Sequence, residues 1–467
     1  MNINKLVNTD LDIEVSGISY DSRNTKPGDV FVAIKGFVSD GHDYALAAQE
    51  NGAVCVVCEH AIDGVSIPCI VVNNTREALA YMSHRFYGNP SSAFKLIGVT
   101  GTNGKTTVTY LIKDILEQAG KKVGLIGTNQ NMIGYTPLET HHTTPESLEL
   151  AALFRQMADE GCEYVVMEVS SHSLELHRVD VCEFVACVFT NLTQDHLDFH
   201  KTMENYKNAK KKLFNHCKYG IINTDDPSGE DMVKDAPCKV YSYGIYSGEI
   251  RASEITESVK GAMFSCLDMN ISLGIPGHFT VYNALAAIGV AISLGISHAD
   301  IEKALSNAKG VKGRLELVPT GRDFSIIIDY AHTPDGLLNV LESARRFTTG
   351  RLVVLFGCGG DRDRTKRPLM GKIAGELADY CIITSDNPRS EEPAAIIRDI
   401  LSGMNNATAE YIVVENRREA IEVAIRHAMP GDVIILAGKG HETYQILADK
   451  TIHFDEREIV YEILNNE

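Results

Sequence analysis

The chain has no tryptophan, and no stretch approaches 18 uninterrupted apolar residues. No indole can anchor a binding surface, and a helical membrane span is not expected. Positive charge is in deficit: 44 Lys+Arg face 62 Asp+Glu, a formal net charge of -18. That balance argues against a nucleic-acid coat or an anionic membrane surface as partner. It leaves anionic small molecules open, because a local basic pocket can override the global field. The opening, MNINKLVNTDLDIEV, lacks a basic leader and an apolar run, so no secretory signal is expected. The 11 cysteines are odd in number and scattered. Cys55 and Cys58 have C-x-x-C spacing, but their flanks (VCVVCE) read as a buried strand and no second pair follows. Buried structural thiols in a reduced, cytoplasmic chain are the expectation.

With 44% hydrophobic and 23% charged residues, the composition suits a soluble globular protein. Its 467 residues allow two to four domains, each with its own core. Three regions separate by pattern. Residues 1–92 alternate short β-rich runs (DVFVAIKG, AVCVVCE, CIVVNN) with helical stretches, and Asn89-Pro90-Ser91-Ser92 reads as a linker. Residues 93–314 open with FKLIGVTG and alternate further strand runs (KVGLIGT, YVVMEVSS, FVACVFTNL, YGIINTDD) with helices. Near Gly310–Arg314 the pattern restarts, and residues 315–467 carry FSIIIDYA, GRLVVLFGCGG, YCIITSDNP, YIVVEN and DVIILAGKG. Such alternation predicts α/β domains built on mainly parallel sheets. Ligands then belong at the carboxyl ends of the strands.

Gly101-Thr102-Asn103-Gly104-Lys105-Thr106-Thr107 follows a strand run and opens the helix VTYLIKDILEQAG. Glycines let backbone N–H groups turn inward, and the helix N-terminus adds a positive dipole. Lys105 would reach the β/γ-phosphates of ATP, and the Thr106 hydroxyl would ligate Mg²⁺. The strict motif places Gly at position 99, where this chain has Val99. Glu168, closing YVVMEV, is a natural second magnesium ligand. A phosphate loop alone does not choose between kinase, transporter, motor and ligase.

Seven further or overlapping segments decide. GTNGKTT, MEVSSH, TNLTQDHLDFH, DYAHTPD, GCGGDRDRTKRP, SDNPRSEEP and AGKGHETY follow one another across nearly the whole chain. In that order they resemble the Mur ligases of peptidoglycan synthesis. The resemblance implies an N-terminal UDP-substrate domain, a central ATPase and a C-terminal Rossmann-like domain, matching 1–92, 93–314 and 315–467. It also implies ATP-dependent amide formation. A free carboxylate of the UDP-linked muramoyl dipeptide becomes an acyl phosphate, and the amine of an incoming amino acid displaces phosphate. The partners expected are those small molecules alone, with the chain a monomer. A folylpolyglutamate synthase would share the phosphate loop but lack the UDP domain and D-N-P-R. A regulatory nucleotide-binding protein would give no reason for His196, Lys210 and that loop to coexist.

The remaining assignments also come from the resemblance. His196 matches a ligand of a second Mg²⁺. Lys210 falls where the family carries a CO₂-derived carbamate (N6-carboxylysine). Carbamylation needs a neutral amine, and Lys211 and Lys212 are expected to lower the pKa of Lys210. Asn283, Arg314, Asp329 and His332 match residues that close over ATP. In the N-terminal region, Ser22 of D-S-R would hydrogen-bond the UDP group beside Phe37, Val38 and Ser39. Thr143, Thr144, Ser170 and Arg178 would contact the muramoyl-peptide portion, and Leu176 stands where some members carry Gln. Asp386-Asn387-Pro388-Arg389 is the family's signature for members that add meso-2,6-diaminopimelate. A planar guanidinium at Arg389 suits the distal carboxylate that lysine lacks. Arg362, Gly438 and Glu442 complete that pocket, with Glu442 facing the distal ammonium.

Overall fold

The computed structural model describes every residue except positions 38, 139, 141, 406 and 467. Val38, expected in the uridine-contacting loop, therefore lies outside the described residues. The N-terminal strands β1 (Gly17–Ser19), β2 (Asp29–Val32), β3 (Cys55–Cys58) and β4 (Cys69–Val71) pair in chain order, all parallel. β2 and β3 are wholly buried, as continuous apolar runs in a covered parallel sheet should be. Cys55 and Cys58 are buried, and every cysteine is a free thiol.

A nine-stranded sheet follows. Its strands are β5 (Lys95–Thr100), β6 (Val123–Ile126), β7 (Asn131–Ile133), β8 (Thr136–Leu138), β9 (Tyr164–Glu168), β10 (Phe184–Phe189), β11 (Cys217–Asn223), β12 (Lys239–Gly244) and β13 (Ile250–Arg251). The spatial order is β13-β12-β11-β10-β5-β9-β6-β7-β8, parallel except for β7 and β8. The pleat sends successive side chains to opposite faces. Ile97 and Val99 of β5 join one core, with Val108, Leu111, Ile112 and Ile115 of the helix Lys105–Gln118. Leu96 joins the core on the other face. The helix His278–Ser293 packs against the helix Lys105–Gln118 over the first of these cores.

An antiparallel sheet of β14 (Ser253–Ser258), β15 (Gly261–Cys266) and β16 (Met269–Leu273) then interrupts the alternation. The strand runs read from sequence did not include it. Its signal is the period-two burial of β15 and β16, one face covered and one open. The Asn89–Ser92 linker is a packed turn, not a free tether. Asn89 has φ 52, Pro90–Ala93 form a 3₁₀ turn, and Pro90 and Ser91 are buried.

The last large sheet contains β17 (Glu316–Val318), β18 (Ser325–Asp329), β19 (Leu352–Phe356), β20 (Tyr380–Ile383), β21 (Glu410–Val413) and β22 (Val433–Ala437). Its order is β17-β18-β22-β19-β20-β21, with β17 alone antiparallel. A hairpin of β23 (Tyr444–Ile446) and β24 (Thr451–His453) follows it. The structure is thus α/β with mainly parallel sheets. Among the described residues no helix is long and apolar enough to cross a membrane. Leu111 is 1% exposed, so Leu111→Ala should cost the central sheet about 2–5 kcal/mol. Urea unfolding followed by circular dichroism measures this. A midpoint shift no larger than that of Tyr135→Ala, at an 82% exposed side chain, would contradict it.

Candidate active site

β5, β9 and β10 lie side by side, and their carboxyl ends bring three loops together. The phosphate loop leaves β5 at Gly101, whose φ is 147. A Cβ there would stand 1.8 Å from Thr190 Oγ1 at the end of β10, so only glycine fits. Gly104, φ 84, is the N-cap of the helix Lys105–Gln118, and a Cβ on it would meet Asn283 Oδ1 at 2.4 Å. The loop is pinned from β10: Thr190 Oγ1 donates to the Asn103 carbonyl at 2.6 Å. Asn191 Oδ1 in turn accepts from the Asn103 N–H at 2.9 Å. Thr106 and Thr107 are buried in the first helical turn.

Two lysines converge on this loop. Lys105 Nζ donates to the carbonyls of Gly101 at 3.0 Å and Thr102 at 2.8 Å. Lys210 Nζ, from the helix Met203–Lys211, donates to the same Gly101 carbonyl at 2.8 Å. Lys210 is 1% exposed, and its ammonium lies 4.5 Å from the Tyr206 ring centre. Burial, then repulsion by Lys105, drives its pKa well below the usual lysine value, while Asp195 pulls the other way. Burial lowers Lys105 as well, against the attraction of Glu168 and Asp195. Lys211 and Lys212 do not contribute as the sequence suggested. They turn outward, to Asp235 at 3.4 Å and Glu175 at 2.7 Å.

Glu168 is buried at the end of β9. Its two oxygens accept from Thr128, Oε1 from the backbone N–H at 2.9 Å and Oε2 from the hydroxyl at 3.0 Å. His196 has φ 53, and its Nε2 lies 3.3 Å from Asp195 Oδ2. Partial burial lowers its pKa, with Asp195 opposing and Lys105 and Lys210 adding to the shift. His172 stands edge-on to His196, ring centres 4.8 Å apart. Burial and the neighbouring His196 and His200 hold His172 at about 4, a neutral imidazole at physiological pH.

A cavity of about 520 Å³ opens above these groups. It is lined by Thr102–Thr107, Thr143, Glu168, Ser170, His196 and Lys210, together with Asn283, Arg314, Asp329 and His332. Asn283 Nδ2 and Arg314 Nε are buried without a protein partner, and such groups call for a ligand acceptor. The Arg314 guanidinium lies 4.6 Å from the Tyr330 ring centre. Asp329 accepts from the N–H groups of Leu315 at 2.7 Å and Ala331 at 2.8 Å. Burial raises its pKa against the pull of Arg314 and these bonds. His332 Nδ1 is 2.8 Å from the Tyr330 carbonyl, and that same backbone carries the Arg314 platform.

Beside this cavity, Thr144 Oγ1 donates to the Glu168 carbonyl at 2.9 Å, and the Ser170 N–H donates to Thr144 Oγ1 at 3.1 Å. Arg178 reaches the Thr144 carbonyl at 2.9 Å and Glu146 at 3.2 Å. Arg76, from the helix Thr75–Phe86 of the N-terminal region, takes the same Glu146 oxygen at 3.2 Å. Leu176 caps the short helix Ser171–Glu175 by donating to the His172 carbonyl. Ser22 is buried in a 3₁₀ turn, and Phe37 and Ser39 sit in an exposed turn outside the cavity. The Phe37 ring meets Phe199 edge-on at 5.4 Å.

A second cluster gathers at the carboxyl ends of β20 and β22. Arg389 has φ 51 and donates to the Gly360 carbonyl at 2.8 Å. Arg362 is exposed and donates to the Asp361 carbonyl at 3.0 Å. The two arginines flank Gly359, where a Cβ would lie 2.9 Å from an Arg389 guanidinium nitrogen. Pro388 precedes Arg389, and its carbonyl blocks any Cβ on Gly360 at 1.8 Å. Gly438, φ 114, faces Asp386, whose Oδ2 would be 2.9 Å from a Cβ there. Asn387 donates to Glu442 Oε2 at 2.9 Å.

Several residues at these sites escaped the sequence reading. Asp335 accepts from Asn103 at 2.5 Å and Thr193 at 2.8 Å, tying the helix Pro334–Phe347 to the phosphate loop. Lys439 and Asp335 lie inside the motifs AGKGHETY and DYAHTPD, which are the sequence signal for both. Glu146, Arg76 and Thr128 carried no local signal.

Three family models match: the Mur ligase family catalytic domain over residues 14–87, the Mur ligase middle domain over 99–291, and the Mur ligase glutamate ligase domain over 313–440. A UDP-N-acetylmuramoyl-L-alanyl-D-glutamate–2,6-diaminopimelate ligase of Caldanaerobacter subterraneus is 54% identical, covering 97% of this chain and 95% of the relative. Its counterpart in Clostridium botulinum is 52% identical over the same shares. A solved structure of a ligase of that name superposes with a TM-score of 0.73 at 31% identity, covering 100% of this chain and 99% of the other. With relatives this similar along nearly its whole length, the chain belongs to the Mur ligase family.

Proposed function

We propose that this chain is the ADP-forming ligase that joins meso-2,6-diaminopimelate to UDP-N-acetylmuramoyl-L-alanyl-D-glutamate in cytoplasmic peptidoglycan precursor synthesis. One observation carries the reading: the phosphate loop, Glu168, His196, Lys210, Asn283 and Arg314 face a single cavity. In this reading residues 1–92 hold the UDP group, 93–314 hold ATP and 315–467 hold the amino acid. The relatives' names supply the substrates. The chain acts as a monomer on small molecules, without a nucleic-acid or membrane partner.

Lys105, Arg314 and the N–H groups of Gly104–Thr107 draw the β- and γ-phosphates to the loop. An oxygen of the D-glutamyl carboxylate then attacks the γ-phosphorus. The bond from that phosphorus to the β–γ bridging oxygen breaks, and ADP leaves. The amine of the amino acid attacks the resulting acyl carbonyl, loses a proton and expels phosphate. Thr144, Ser170 and Arg178 position the muramoyl-peptide portion for attack, and Ser22, Phe37 and Ser39 the uridine end. No protein nucleophile is needed; the work is gathering anions and offsetting their repulsion.

Magnesium fits this donor set. Among the described residues no cluster of three or more His, Cys, Asp or Glu forms a closed cage. Mg²⁺ needs none, because it keeps waters and phosphate oxygens and takes one or two protein groups. Thr106 and Glu168 would hold one ion, His196 and Lys210 a second. When bound, these ions neutralise charge on the phosphates and on the acyl phosphate. Lys210 suits a carbamate, since burial and Lys105 favour its neutral amine. CO₂ would add to that amine with release of one proton, leaving an anionic oxygen donor.

Phosphate release should require both the UDP-dipeptide and an amino acid, with meso-diaminopimelate far better than L-lysine; release with neither would overturn the ligase reading. Arg389→Ala should raise the KM for diaminopimelate about 10- to 100-fold, the worth of a charge-assisted hydrogen bond. An unchanged KM would remove Arg389 from the pocket. Lys210→Ala should lose most activity and regain part of it with added formate or acetate. No recovery with either acid would count against the carbamate.

A further inference from the structure

Beneath the D-N-P-R loop lies a charged side chain that the reaction above does not use. Lys439 is 0% exposed. Its ammonium donates to Asn387 Oδ1 at 3.1 Å and to Glu442 Oε2 at 3.1 Å. The rings of Tyr444 and Phe454 each stand 5.9 Å away, so the ammonium is walled by aromatic faces. Asn387 Oδ1 also accepts the Ile446 N–H at 3.0 Å, while its Nδ2 donates to Glu442 Oε2 at 2.9 Å. The three side chains therefore form a closed triangle. Two donors at Oδ1 and one acceptor at Nδ2 permit only one orientation of the Asn387 amide.

We infer that Lys439 is a positioning residue of the amino-acid pocket, orienting Asn387 and holding one oxygen of Glu442 for a diamino dicarboxylic acid. This inference deepens the function proposed above and rests on its assignment of Asn387 and Glu442 to that pocket. The far end of such a substrate carries an ammonium and a carboxylate together. A free Glu442 would favour any distal ammonium, including that of lysine. With Oε2 engaged by Lys439 and Asn387, Glu442 has less charge to offer a lone cation. The balance then tips toward a substrate whose carboxylate also finds Arg389. An unpaired carboxylate in this half-buried setting would be costly, so the contact from Lys439 to Glu442 holds both side chains in place.

The test uses the full-length enzyme and the variants Lys439→Met and Lys439→Gln. Met keeps the length without charge; Gln keeps donors without charge. Wild-type phosphate release with UDP-dipeptide and diaminopimelate is measured first. If wild type prefers another amino acid, the specificity part of the proposed function fails. The variants are then read with the accepted amino acid, so the two failures are distinguishable. Lys439→Met should raise the KM for the amino acid about tenfold, with kcat changed less than about threefold and the KM for ATP unmoved. Lys439→Gln should recover part of that loss. In both variants the preference for diaminopimelate over L-lysine should narrow. Glu442→Gln should cost less in the Lys439→Met background than in wild type, because the two act as one unit. If Lys439→Met does not fold, Lys439→Gln carries the same comparison. An amino-acid KM within about twofold of wild type in folded Lys439→Met, or in Lys439→Gln where Met does not fold, would overturn the inference. So would an equal rise in the KM for ATP.

Discussion

Two ammonium groups donate to one carbonyl oxygen, that of Gly101. In water such a pair would drift apart. Here the strand-to-helix turn holds Lys105, and the helix Met203–Lys211 delivers Lys210 from below. Repulsion from Lys105 adds to desolvation in lowering the affinity of Lys210 for its proton. The arrangement invites anions from above and neutrality below. In the proposed function, phosphate oxygens would answer the first demand and a carbamylated amine at Lys210 the second. The glycine that permits this turn is specified by Thr190, which leaves no room for a Cβ.

That turn matters because other parts of the chain are built around it. Asp335, on the helix Pro334–Phe347 after β18 of the six-stranded sheet, accepts from Asn103 and Thr193. Glu146 takes Arg76 from the N-terminal region and Arg178 from the central one. Carboxylates thus act as joints between regions, each holding donors from two sides. Partly buried contacts of this kind contribute little net stability but are costly to break, so they favour defined relative positions over loose ones. A reaction with three substrates needs that definition, because misplacement of a reacting group by about 1 Å costs a large share of the rate.

The parallel strands and the phosphate loop were legible in sequence because they obey local rules. Continuous apolar runs mark covered strands, and GTNGKTT between a strand and a helix marks a phosphate site. The antiparallel sheet β14–β16 was less so, since its alternating pattern is diluted by exposed polar residues on short strands. At the site, residues inside motifs were found, whereas those that act by position alone were not. Thr128 matters because Glu168 reaches it across the sheet, a contact between residues 40 apart in sequence. Lys210 was singled out, but the cause of its perturbation was misplaced onto Lys211 and Lys212. Adjacency in sequence on a helix does not mean a shared face: Lys210 points inward while Lys211 and Lys212 pair with Asp235 and Glu175.

Selectivity for a substrate with two charges at its far end poses a different physical problem from phosphate binding. A single cation or anion in a pocket selects poorly, because any ligand with one matching charge gains most of the benefit. Discrimination comes from groups that are left unpaired by the wrong ligand. Asp386, Asn387 and Arg389 come from one loop, Gly438 and Glu442 from another, and Arg417 lies 3.8 Å from Asp386 while pairing with Glu456 at 2.9 Å. Arg417 and Glu456 are both fully enclosed, and Arg417 also donates to the Ala437 carbonyl at the end of β22. The two loops are therefore fastened from beneath by buried charges that cannot relax toward solvent. Loops tied in this way resist adapting to a ligand that lacks one charge, and in the proposed function that resistance would turn charge complementarity into specificity.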